Sequence, residues 1–224
     1  MLRKTKRTKG AENTALPNPL ANGRKPPAEE GISKKKQERF AKLLILEFFT
    51  SEIEGKVTGM MKKSPETVGF AVRLLSDKNS IERGCAVEAL ADAANKGVDI
   101  AIAVPALMEI LGSEYENTYE RENAARALGG AAENGADMTP AIPALVKALR
   151  GWDTGLRSSV AKTLGIIARR DRKTRTMIVN GILGLMHSEW FQKEMKGNSV
   201  DYTEAMEALD HIFDTIKKAE AARA

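Results

Sequence analysis

From Ser33 onward, apolar residues recur along the chain at helical spacing, and no stretch shows the strict alternation of a half-buried strand. Phe40, Leu43, Leu44 and Phe48 share one face of a helix expected over Lys34 to Phe49, with Ser33 as its N-cap. Ser51-Glu52-Ile53-Glu54 has the form of a capping box opening a second, short helix. Ser64-Pro65 then starts a third, with Ser as N-cap and Pro in the first turn, running to about Leu75.

Beyond that point the pattern repeats. Ala86 to Ile100 matches Ala124 to Met138, with Leu90 aligned on Leu128, 38 residues on. The match continues from Ala103-Val104-Pro105-Ala106-Leu107 to Ala141-Ile142-Pro143-Ala144-Leu145 at the same spacing. A third copy opens at Val160-Ala161-Lys162-Thr163-Leu164-Gly165, 36 residues further. An arginine precedes each copy at those offsets: Arg83, Arg121 and Arg157. Leu75, Leu111, Leu149 and Met186 close the second helix of successive units.

Each unit reads as a helical hairpin. Leu90, Ala93 and Ala94 share a face of the first helix, where small residues let a neighbouring helix approach closely. Gly97 and Gly135 stand where a helix needs a left-handed C-terminal residue. Asp99 and Thr139 are then the expected N-caps of the second helices. Pro105 and Pro143 fall near the first turn, where a missing N–H is harmless. The second helices should bury Leu107, Ile110 and Leu111, then Leu145, Ala148 and Leu149. One hairpin cannot cover its own apolar faces, whereas stacked hairpins share a continuous core and need caps at both ends. Amphipathic helices at 34–62 and 202–221 suit that role, the latter opened by the capping box Asp201-x-x-Glu204.

The phrases AARALGGAAENGAD, AIPALVKALRGWD and LRSSVAKTLG resemble the HEAT repeat, particularly the short form found in phycobilisome-lyase-like proteins. The resemblance covers roughly residues 65–187 and implies an all-α fold, an α-α superhelix of the HEAT/armadillo-like solenoid kind. About three to four helical-hairpin repeats with capping helices are expected. The third copy departs from the pattern, carrying Ile178-Val179-Asn180-Gly181-Ile182-Leu183 in place of the Pro-Ala-Leu start. In such arrays the recurring arginine packs over the turn between units and bonds an acidic residue or a carbonyl. The second helices usually line the concave face, which here places Arg73, Glu109 and Lys147 at equivalent positions, with Arg150 one turn on. The family spans scaffolds, transport factors, chromophore lyases and a few DNA glycosylases, so it fixes the fold more tightly than the function.

Charge divides the chain unevenly. Residues 1–39 hold 11 of the 35 Lys and Arg but 4 of the 30 Asp and Glu, and the remainder has 24 against 26. The basic balance therefore belongs to the N-terminal end, where prolines and the run Arg3-Lys4-Thr5-Lys6-Arg7-Thr8-Lys9 leave no helical period. Residues 1–32 are expected to form a disordered basic arm. The full division is then arm 1–32, N-terminal capping helices 33–64, repeats 65–187 and C-terminal capping helices 188–224.

Chemistry is thinly represented. Two histidines, His187 and His211, and the single Cys85 offer no metal-ligand spacing. No Gly-rich phosphate loop and no nucleophile elbow occurs. Cys85 stands where other units carry Asn123 and Ser159, which suits a small packed residue. No apolar run approaches the roughly 20 residues that span a bilayer. The expectation is a cytoplasmic, non-enzymatic protein without catalytic or metal-binding residues, cofactor, small-molecule substrate or membrane partner. Its partner is expected to be another protein, bound through Arg73, Glu109, Lys147 and Arg150, whose alternating signs suit a recognition groove. The alternative is nucleic acid, gripped by Arg3, Lys4, Lys6, Arg7 and Lys9 of the arm and by a basic edge of Arg169, Arg170, Arg172, Lys173 and Arg175. Aromatic platforms for single strands are scarce: Trp152 falls in a turn between units, and Tyr115 and Tyr119 flank another.

Overall fold

A computed structural model describes residues 33–49, 55–77, 79–113, 117–150, 153–189, 191–193 and 200–222. Among them every regular element is a helix: α1 (Lys34–Phe49), α2 (Lys56–Lys63), α3 (Glu66–Leu74), α4 (Ser80–Asn95), α5 (Val104–Gly112), α6 (Thr118–Glu133), α7 (Ile142–Ala148), α8 (Thr154–Ala168), α9 (Arg172–Met186) and α10 (Val200–Ala221). The protein is all-α. The arm at 1–32, the capping box at 51–54, Tyr115 and Trp152 lie outside the described residues.

The repeat spacing is visible first in the helix ends. Asn79, Asn117 and Asp153 are the N-caps of α4, α6 and α8, accepting from the N–H groups of Ile81, Glu120 and Leu156 at 3.0, 2.8 and 2.8 Å. Each lies four residues ahead of a recurring arginine. Gly97 and Gly135 have φ of 82° and 100°. Around Gly97, the N–H of Val98 donates to the Ala93 carbonyl and that of Gly97 to Ala94; Ala136 and Gly135 do the same to Ala131 and Ala132. These paired bonds satisfy carbonyls that the end of α4 or α6 would otherwise leave open.

The expected caps of the second helices and of α3 are corrected. Neither Asp99 nor Thr139 is an N-cap: α5 and α7 follow Ala103 and Ala141 without a side-chain cap bond, and Asp99 and Asp137 instead accept from the Ala101 and Thr139 N–H groups, each at 2.9 Å, in the turns ahead of them. Asp137 stands 38 residues from Asp99, so the repeat register selects it over Thr139. Ser64 does not cap α3 with its side chain; its hydroxyl donates to the Glu66 carboxylate at 2.6 Å and its carbonyl accepts from the Thr67 N–H. A third expectation shifts at the far end, where α10 already runs through Asp201 rather than starting there.

Pro105 and Pro143 occupy the first turns of α5 and α7, each entered through a short 3-10 turn, 101–103 and 139–141. The hairpins α4/α5, α6/α7 and α8/α9 then stack. Helices α4, α6, α8 and α10 pack side by side, and α5, α7 and α9 form a second row beside them. Leu90, Ala93, Ala94, Leu107, Leu111, Leu128, Leu145 and Leu164 are buried in one core. At the ends, α1 contributes Phe40 and Leu44 and packs on α4, while α10 contributes Leu209, Ile212 and Ile216 and packs on α8.

Polar side chains stitch one hairpin to the next at the same spacing. The Asn134 amide donates to the carbonyls of Ala94 and Val98 at 2.8 and 3.0 Å. Thirty-six residues on, Arg170 donates to Ala132 and Ala136, which are the equivalents of Ala94 and Val98, at 3.0 and 2.6 Å, and to Gly135 at 3.1 Å. Arg83 donates to the Asp77 carbonyl at 2.9 Å and lies 4.0 Å from the buried Glu120 carboxylate. Arg121 donates to the Leu111 carbonyl at 3.1 Å. Arg157 is buried in α8.

Among the described glycines the tightest approach is within the first row, at Gly130 of α6, where a Cβ would lie 2.6 Å from the Ala94 Cβ and 3.0 Å from the Ala94 backbone of α4. Alanine in a helix interior is favoured over glycine by about 1 kcal/mol. Overpacking against a neighbour that cannot rotate away costs about 1–3 kcal/mol. The second effect wins here. Gly130→Ala is expected to lower unfolding stability by about 1–2 kcal/mol in urea titration, while Gly59→Ala, whose Cβ meets nothing within 4 Å, leaves it equal or higher. A stabilised Gly130→Ala would contradict this packing.

Candidate binding groove and basic edge

The second row of helices offers a groove between α7 and α9 of about 550 Å³. Ile142, Val146, Met177 and Leu185 supply its apolar surface, and Lys147, Arg150 and Asn180 its polar groups. The α7 side is a single short helix with a proline in its first turn; Lys147 stands in its last turn and Arg150 in the turn just beyond its C-cap Leu149, both exposed. On α9 the wall includes Gly181 and Gly184 beside Met177, Asn180 and Leu185. A Cβ at Gly181 would come 3.1 Å from Val146 Cγ2, so the glycine lets α9 close on α7. At Gly184 a Cβ would meet nothing within 4 Å.

The expected partner-binding residues are thus distributed over two grooves. Lys147 and Arg150 line the α7/α9 groove. Glu109 is exposed and lines a smaller groove of about 250 Å³ with Leu75, Ser76 and Ala106, between the end of α3 and α5. Arg73 is half-buried, its guanidinium 5.2 Å from the Phe70 ring centre, and Phe70 meets Phe40 edge-on at 5.7 Å. This cation–π contact ties Arg73 to the packing of α1 on α3. The groove residues on α9 were not anticipated from sequence. Extending the offsets 73, 109, 147 by a further 36 residues reaches Leu183, which is 43% exposed and neighbours Gly184, so the signal was present in the spacing.

The basic edge is less of a cluster than its composition suggests. Arg170 is committed to three carbonyls of the preceding hairpin. Arg175 is buried, donating to the Ala168 carbonyl at 3.4 Å and lying 3.9 Å from Glu220. Arg169 lies 3.8 Å from Glu133. Arg172 and Lys173 are exposed at the start of α9. Two carboxylates stand among them. Asp137 is held below its usual range by the Thr139 N–H and hydroxyl, with Lys173 and Arg170 adding to this. Asp171, the N-cap of α9, is held below its usual range by the Thr174 N–H above all, with Arg170 nearby. Both remain ionised at neutral pH and offset part of the positive field. Arg3, Lys4, Lys6, Arg7 and Lys9 lie outside the described residues.

A further pocket of about 280 Å³ is lined by Ser158, Lys162, Glu207 and His211. Cys85 is buried, and burial pushes its thiol up to about 11, with Glu88 adding to the shift. It is protonated at neutral pH and is a weak nucleophile. His187 Nδ1 is 2.7 Å from the Leu183 carbonyl. Tyr119, 44% exposed, is pushed up to about 12 by partial burial and by its hydrogen bond to Glu88. Among the described residues no three His, Cys, Asp or Glu side chains are grouped so as to hold a metal ion, and no helix is long and apolar enough to cross a membrane.

No family model matches the chain, and no curated protein matches it. Solved structures do. A crystal structure of an engineered protein from the Northeast Structural Genomics Consortium aligns with a TM-score of 0.54 at 22% identity, covering 84% of this chain and 82% of that one. A second engineered protein from the same consortium gives 0.52 at 21% identity, over 84% and 79%. At such identities the likeness is one of fold alone.

Two outcomes follow. Arg170→Ala should lower unfolding stability by about 1 kcal/mol, because it removes the charged donor that joins α8 to carbonyls of the preceding hairpin. Arg172→Ala and Lys173→Ala should stay within about 0.5 kcal/mol of wild type; equal effects for all three in denaturant titration would contradict the placement of Arg170. Separately, Cys85 should not react with a thiol-specific chromogenic disulfide in the native state and should react fully in denaturant. Fast native-state labelling would show the thiol to be accessible.

Proposed function

We propose that the chain is a non-enzymatic protein-binding adaptor, a short HEAT-type α-solenoid that meets its partner through the row of second helices. The HEAT assignment is supported by hairpins recurring at 38 and 36 residues, by the repeated caps and arginines, and by the shared core of the stacked pairs. The single observation that carries the function is the α7/α9 groove, which combines an apolar surface with a short charged rim. Protein interfaces characteristically have an apolar centre and a polar rim. Among the described residues, the protonated, buried Cys85 and the absence of grouped metal-ligating side chains give a reaction little to work with.

The nucleic-acid reading rests on the basic edge and the arm. Engagement of Arg170 and Arg175 with carbonyls, and the carboxylates of Asp137 and Asp171 beside them, favour the protein reading over it. A phosphate track would need cations that are exposed and continuous.

The test is retention from native lysate on the immobilised full chain, with and without nuclease. The wild type is compared with Lys147→Glu/Arg150→Glu and with a chain lacking residues 1–32. The expected result is a specific protein whose retention survives nuclease and deletion of the arm, and which falls about tenfold or more on the double charge reversal. Retention that disappears with nuclease and with the arm would establish the nucleic-acid reading instead.

A further inference from the structure

Resting on the adaptor reading, we propose that the occupant of the α7/α9 groove is an acidic amphipathic helix of about two turns. Its narrow apolar face lies over Gly181 and Gly184, and its carboxylates meet Lys147 and Arg150. Three observations point to this chemistry. The first is charge. Among the described residues the only charged ones lining the groove are Lys147, in the last turn of α7, and Arg150, in the turn just beyond it, both exposed. Carboxylates three or four apart on a facing helix are neighbours, about 5–6 Å between Cβ atoms, so such a pair matches two cations that stand together at the C-terminal end of α7. The adjoining α3/α5 groove carries Glu109 as its charged lining residue, which discriminates against the same acidic surface there.

The second observation is the shape of the α9 wall. Gly181 is already accounted for by its approach to Val146, but Gly184 has no such neighbour. Glycine in a helix interior is disfavoured relative to alanine. Here it leaves the α9 backbone uncovered beside an apolar floor, and a second helix can approach at that point more closely than it could over a side chain. The third is length. Helix α7 has seven residues, about 10 Å at 1.5 Å per residue, which spans two turns of a bound helix. Nucleic acid fits this site poorly, because the floor is aliphatic and, among the described residues, no aromatic side chain lines it for a base to stack on.

The experiment selects a displayed random-peptide library on the immobilised full chain, then measures the enriched peptides by fluorescence polarisation. Four targets are compared: wild type, Gly184→Trp, Gly184→Ala and Lys147→Glu/Arg150→Glu. A Cβ at position 184 meets nothing, so Gly184→Trp fills the groove without disturbing the packing, and circular dichroism checks that it folds. Enriched sequences should carry Asp or Glu three or four apart beside apolar residues at helical spacing. Their affinity should fall about tenfold or more on Gly184→Trp and on the charge reversal, and hold within about twofold on Gly184→Ala. A basic or neutral consensus, affinity indifferent to Gly184→Trp, or no enrichment above the Gly184→Trp control overturns the proposal. So does a 20-nucleotide RNA probe that binds wild type and is lost on Gly184→Trp, which would assign the groove to nucleic acid. Any of these can occur while a nuclease-resistant protein partner sensitive to the charge reversal is still retained from lysate. The adaptor reading and the nature of the occupant therefore fail separately.

Discussion

The 2.6 Å that would separate a Cβ at Gly130 from the Ala94 Cβ measures how closely α4 and α6 approach, and the rest of the structure depends on that approach. Two helices can come this near only where both present small residues. Gly129 meets Thr163 and Ile166 of α8 on the other side of α6, and Gly165 meets Thr215 of α10. A run of Ala and Gly on the first helices thus sets the spacing of the stack from α4 to α10. With that spacing fixed, α5, α7 and α9 are carried into a row by short turns, and the gap between α7 and α9 becomes the groove.

Close packing of backbones brings carbonyl groups at the helix ends into contact range of the next hairpin. An end buried without partners would be costly. Turn N–H groups at Gly97 and Gly135 meet part of this, and side chains at a fixed place in the repeat add to it: Asn134 on Ala94 and Val98, and Arg170 on Ala132, Gly135 and Ala136. Hydrogen bonds from a charged donor are the stronger kind, so Arg170 is an anchor of the last junction as well as a surface charge. The same logic explains why a region rich in arginine carries less free positive field than its composition implies.

Much of the fold was legible because spacing, capping and glycine placement all repeat. Gly97 and Gly135 stood out as left-handed positions, and Pro105 and Pro143 marked the first turns of α5 and α7. The errors were local. Thr139 carries a hydroxyl suited to capping, but the 38-residue register from Asp99 falls on Asp137, and there the acceptor lies. Asn79, Asn117 and Asp153 share the same register, four residues ahead of the recurring arginines. The site was less legible than the fold. Lys147 and Arg150 were named, but Gly184 and Met177 were not. In a sequence, a glycine inside an apolar helix reads as a weakness in the pattern, and whether its missing side chain faces a neighbour or an opening is decided only by the packing of α7. Arg73 shows the converse: its offset placed it with the exposed set, and Phe70 took it out.

The central claim is that partner recognition takes place between α7 and α9 on a surface created by the stacking of hairpins. Methionine-methyl NMR tests it directly, because Met177 lines the groove while Met61 and Met138 are buried elsewhere in the core. On titration with a peptide selected against the full chain, the Met177 methyl resonance should shift in a saturable way, with Met61 and Met138 unmoved. Saturated binding that leaves Met177 in place would contradict the claim.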